Sequence, residues 1–64
     1  MNITNITHYA KRAAIRAAVT FQCAGLPPIH AAAIVKHALA LHENGSSPAM
    51  AIEQARKLAR GVVA

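Results

Sequence analysis

Few residues in this chain could do chemistry: His8, His30, His37 and His42, the single Cys23, and the two acids Glu43 and Glu53. A metal held by one helix needs ligands three or four residues apart, on the same side of successive turns. No pair of the four histidines has that spacing. His30 and His37 are seven apart, about 10.5 Å along a helix rising 1.5 Å per residue, which is too far for one ion. They share a face near Ile34 and Leu41, so the sequence predicts them at an interface rim, where protonation would add charge and weaken association. Cys23 has no base at a defined spacing, no orienting carboxylate and no oxyanion-forming loop. Two glutamates alone offer little for paired-carboxylate chemistry, and the three isolated glycines form no phosphate-cradling loop. The expectation is a protein without catalysis, metal or cofactor.

The chemistry that remains is binding. Seven Lys and Arg against two Glu give a net charge of +5, and no acid precedes Glu43. Such a field favours nucleic acid or an acidic protein surface. At 64 residues the chain is one small domain at most, spanning 1–64, and it is rich in alanine, which buries little area. Small domains of this kind gain stability from disulfides, metals or a second subunit. One cysteine excludes an internal disulfide, so self-association is expected. The unpaired cysteine and the lack of a secretory leader predict a cytoplasmic location. Asn2-Ile3-Thr4 and Asn5-Ile6-Thr7 then match the glycosylation triplet by accident. The apolar stretch from Ile29 to Leu41 is too short for a membrane span and is interrupted by His30, Lys36 and His37.

Three helices must position these residues, at about 5–24, 28–43 and 48–60. Thr4 or Thr7 is expected to cap the first and Gly25 to end it. Leu26-Pro27-Pro28 is a stiff connector, with Pro28 suited to a first helical turn. Asn44-Gly45 ends the second helix, Ser47-Pro48 opens the third, and Gly61 is expected to stop it. No alternating β-branched run competes with this reading, so the fold class is all-α: a three-helix domain in a homodimeric bundle.

The first helix carries two apolar faces. Ala10, Ala13, Ala14, Ala17, Ala18 and Phe21 are assigned to packing inside the domain. Ile15 and Val19 lie roughly opposite, among Lys11, Arg12 and Arg16, and are assigned to a partner. The second helix is apolar around most of its circumference: Ile34, Ala38 and Leu41, then Val35 and Leu39, then Ile29, Ala33 and Ala40. That pattern predicts burial on most sides, hence a dimer. The third helix has one apolar face, Ala51, Ile52, Ala55, Leu58, Ala59 and Val62, and an outer face where Glu53 and Lys57 form an i,i+4 pair.

Two functions follow. The first is a small regulator that docks on another protein, an acidic surface being favoured by the charge, as phage and mobile-element inhibitors or anti-activators do. Its expected contacts are Tyr9, Arg12, Ile15, Arg16 and Val19, an apolar centre rimmed by arginine, with Ile29 and Met50 as further apolar surface. The second rests on Ala24-Gly25-Leu26-Pro27-Pro28 followed by a helix, which resembles the turn of helix-turn-helix repressors. That resemblance implies a DNA-binding regulator, with Lys36, His37, Arg56, Lys57 and Arg60 towards nucleic acid. The family's second helix offers polar side chains to base edges from its first turns. Here those positions hold Pro28, Ile29, Ala32 and Ala33, which puts base reading in doubt and leaves phosphate attraction. Membrane-surface binding is not expected, because alanine inserts weakly.

Overall fold

Each helix boundary is a place where the backbone meets a specific need. In the computed structural model, which describes residues 3–63 and the side-chain surroundings of residues 7–61, α1 spans Ile3–Gln22, α2 spans Pro28–Glu43 and α3 spans Pro48–Val63. No strand occurs among the described residues. This is a small all-α domain.

α1 begins upstream of both Thr4 and Thr7, so neither threonine stands at the N-cap position expected for it. At its other end Ala24 N–H donates to the Phe21 carbonyl (3.2 Å), a tightened last turn, and Gly25 takes the left-handed conformation at φ +92°. Pro27 is extended (φ −55°, ψ 141°) and its carbonyl accepts from the His30 and Ala31 amides, which starts α2. α2 closes in a Schellman motif: Ser46 N–H donates to the Leu41 carbonyl (3.0 Å) and Gly45 N–H to His42 (3.1 Å), with Gly45 at φ +108°. Asn44 Nδ2 adds a bond to the Ala40 carbonyl at 2.9 Å. α3 opens on Ser47, whose Oγ accepts from the Met50 amide (3.2 Å), with Pro48 at the first helical position. Gly61 does not stop α3. It remains helical, outside the left-handed region, and α3 runs on to Val63.

The core is drawn from one stripe per helix: Ile15, Val19 and Cys23; Ile34, Ala38 and Leu39; Ala51, Ala55 and Ala59. Leu26, Ala31, Val35, Leu41 and Ile52 close its edges. Each helix packs on both others. The alanines of α3, at i, i+4 and i+8, let its backbone approach closely. Leu58 stays 43% exposed at the margin of that face, and Val62 lies outside the described side chains.

The two faces of α1 are used in the reverse of the expected sense. Ile15 and Val19, assigned to a partner, have no exposed surface. Phe21, assigned to the interior, is 83% exposed, and Ala10, Ala13, Ala14 and Ala17 face solvent beside it. Ile15, Val19 and Cys23 recur at i, i+4 and i+8, a continuous stripe of side chains larger than alanine, and each methylene it buries is worth about 0.8 kcal/mol. Phe21 follows Val19 by two residues, about 200° around the helix, and cannot share that stripe.

α2 differs from expectation as well. Only one side is covered in the single chain. Ile29, Ala32, Ala33, Lys36, His37 and Ala40 are exposed. No helix among the described residues is long and apolar enough to cross a membrane.

Candidate binding surface

The histidines that meet are not the pair the spacing suggested. His30 and His37 are both exposed on α2, whereas His8 of α1 stacks on His42 of α2, with ring centroids 5.6 Å apart and planes 18° from parallel. His42 Nδ1 lies 3.0 Å from the Ser46 carbonyl, so that nitrogen carries the proton and donates. Its Nε2 is buried without a hydrogen-bond partner. Among the described residues no three His, Cys, Asp or Glu side chains gather where one metal could bind them. Cys23 is 3% exposed, and burial pushes its thiol up, away from the reactive thiolate.

What the fold does bring together is a set of cations around apolar surface. Tyr9, Arg12 and Arg16 follow one another at helical spacing on α1 and, with Ala13 and Ala17, line a shallow depression of about 350 Å³. Tyr9 is 76% exposed. Arg12 and Arg16 form the wall between this depression and a longer groove of about 670 Å³ between α1 and α2. The groove floor comes from α2, where Ala31, Ala32, Val35 and Leu39 recur at spacings of three and four. Lys36 stands on the far rim. Arg12 is ion-paired with Glu43 at one end, and this contact, with the short connector between Gln22 and Pro28, fits two antiparallel helices.

The expected contact residues therefore divide. Tyr9, Arg12 and Arg16 share one surface. Ile15 and Val19 are beneath it in the core and take no part in it. Sequence reasoning missed that Arg16 and Lys36, read as belonging to different functions, face one groove. No local signal could have shown this, because they join only through the packing of two helices.

The basic face of α3 is a separate matter. Arg56 Nε donates to Glu53 at 3.0 Å and its terminal nitrogen makes a second bond to the same carboxylate, so the i,i+3 partner displaces the expected Glu53–Lys57 pair. The Arg56 hydrogen bond holds the Glu53 carboxyl below its ordinary range, helped by the fields of Arg56, Lys57 and Arg60. Arg56, Lys57 and Arg60 line neither depression. Met50, at 52% exposed, and Ile29, at 77%, also stand outside them.

The class these features define is a small basic all-α domain with exposed aromatic side chains and an arginine- and lysine-rimmed groove. No protein-family model, curated protein or solved structure matches the chain.

Proposed function

We propose that this chain is a small regulatory protein that acts by binding another protein, in the manner of inhibitors or anti-activators carried by phages and mobile elements. One observation carries the reading: Tyr9 stands 76% exposed beside Arg12 and Arg16, around a shallow depression on α1. Phe21, 83% exposed, ends an outward alanine strip about 18 Å farther along the helix, at 1.5 Å per residue, and about 120° around it from Tyr9. An exposed aromatic ring beside arginines has the composition of a recognition surface. Tyr9, Arg12 and Arg16 are the contacts this reading assigns to a protein target.

The same strip supports a homodimer. Alanines allow two helices to approach closely, and Phe21 lies on their side of α1. A stable interface takes about 800 Å² per partner. That is a large share of the 4504 Å² the chain exposes, so the pair has to recruit flanking surface as well. Sedimentation equilibrium tests it: a monomer mass that stays constant through the micromolar range refutes the dimer.

DNA binding is the second reading, favoured by the exposed Lys36 and His37 of α2 and the exposed Lys57 and Arg60 of α3. Against it, the first turns of α2 present Ile29, Ala32 and Ala33, and His30 is the one exposed side chain there that can donate to a base edge. Affinity capture from expressing cells, with and without nuclease, separates the readings. Capture of a protein that survives nuclease supports the first. Steeply salt-dependent binding to random duplex DNA, with nothing captured after nuclease, overturns it.

A further inference from the structure

We infer that the groove between α1 and α2 is a docking site for an acidic amphipathic helix of another protein. This rests on the binding reading above and names the partner's chemistry. The groove floor is apolar and follows α2 from Pro28 to Glu43, about 22 Å at 1.5 Å per residue, enough for four turns of a docked helix. Its residues are small: Ala31, Ala32 and Ala40 leave room above the backbone, and Val35 and Leu39 form the deeper part. A helix laid along such a floor reads it with side chains at i, i+4 and i+7.

The rim sets the partner's charge. Arg16 from α1 and Lys36 from α2 stand on opposite sides, and neither is bonded to an acid among the described residues. The only acid lining the groove, Glu43, is already engaged by Arg12. A docked helix thus meets positive charge along both flanks, which favours carboxylates beside its apolar stripe.

The same accounting removes the two other occupants. A second copy brings a net charge of +5, and its only acids, Glu43 and Glu53, are engaged by Arg12 and Arg56. It has no unpaired side-chain carboxylate to offer the rim. A nucleic-acid backbone matches the rim but gains nothing from a floor of alanine, valine and leucine. An acidic amphipathic helix satisfies both.

The test uses the whole protein and two fluorescent peptides of about 18 residues, long enough to form a helix on binding. Both carry leucines at i, i+4, i+7 and i+11; one has glutamates at the flanking positions and the other lysines. Fluorescence anisotropy should give micromolar binding of the glutamate peptide and binding at least about tenfold weaker for the lysine peptide. Arg16→Glu with Lys36→Glu should weaken the glutamate peptide by about tenfold or more and improve the lysine peptide. Ala32→Glu, on the exposed floor, should do the same without touching the core. Lys57→Glu, a charge change on α3 outside the groove, should leave affinity within about twofold. Circular dichroism confirms that each variant is folded. The inference is overturned by absence of binding at on the order of 100 µM, by equal losses in Lys57→Glu, or by displacement of the peptide with duplex DNA. It is also overturned if reversing Arg16 and Lys36 abolishes self-association, since a second copy would then occupy the groove. If the peptide fails while nuclease-resistant capture persists and ignores these substitutions, the groove assignment falls and the binding function stands. If both fail, the binding function falls too.

Discussion

Truncating Ile15 and Phe21 in turn tests which side of α1 is inside. Ile15 has no exposed surface and belongs to the core that all three helices form, so Ile15→Ala removes buried methylenes and leaves a cavity. Such a change costs about 2–5 kcal/mol. A 64-residue domain at about 0.05–0.15 kcal/mol per residue has only about 3–10 kcal/mol in total. A loss of about 3 kcal/mol should therefore lower the Tm by about 12–24 °C, at roughly 4–8 °C per kcal/mol for a domain this small, or unfold the chain outright. Phe21 is 83% exposed, and its truncation to alanine should change stability by about 0.5 kcal/mol or less, with alanine's better helix propensity in its favour. Thermal and urea unfolding by circular dichroism at two protein concentrations provide the measurement. At the lower concentration Phe21→Ala should melt within a few degrees of the parent chain. A loss that appears only at the higher concentration marks the ring as a dimer contact. If Phe21→Ala costs as much as Ile15→Ala in the dilute protein, the packing of α1 described above is wrong.

Three further perturbations follow from the backbone and the core. Gly45→Ala and Gly61→Ala should act in opposite directions: the first forces a side chain into φ +108° and should cost about 1 kcal/mol, whereas the second lies in a helix with open space around it and should gain about 0.5–1 kcal/mol, both read from urea midpoints. Ser47→Ala removes the acceptor for the Met50 amide and should cost about 1 kcal/mol, whereas Ser47→Asp should keep the cap; equal losses in both would reject the capping role. Because burial raises the Cys23 thiol pKa, the unfolded chain ionises first as pH rises, unfolding releases a proton, and stability should fall above about pH 8.5. Cys23→Ala should remove that part of the alkaline slope, and an unchanged slope would show that the thiol does not contribute.

Punctuation was legible in the sequence because each signal is local. Pro28, Ser47-Pro48 and Asn44-Gly45 act through their own backbone and one or two neighbours, and they stand at the observed ends. Gly61 shows the limit of such signals. A glycine ends a helix only where the chain turns into the left-handed region, and this one does not. The faces of α1 were harder, because both the number of apolar positions and, through Phe21, their carbon content favour the alanine side. What marks the buried side is the unbroken i, i+4, i+8 spacing of Ile15, Val19 and Cys23, which lays one continuous stripe of side chains larger than alanine against the other two helices.

The binding surface was legible only in part, for a related reason. Tyr9, Arg12 and Arg16 belong together by helical spacing, so a single helix reveals them. Lys36 joins Arg16 only once α1 and α2 are antiparallel in one register, and that register is marked by Arg12 meeting Glu43, 31 positions away. Charge makes the register consequential. Residues 1–42 hold no acid, so Lys11, Arg12, Arg16 and Lys36 have Glu43 as the one carboxylate of their two helices. Because Glu43 sits at the end of α2, it engages the arginine one turn nearer the start of α1 and leaves Arg16 and Lys36 facing the middle of the groove. A carboxylate one turn earlier on α2 would neutralise the groove itself. Ala40→Glu, at a lining position three residues before Glu43, is therefore the substitution that should silence the groove while leaving the core stripe of α2 untouched.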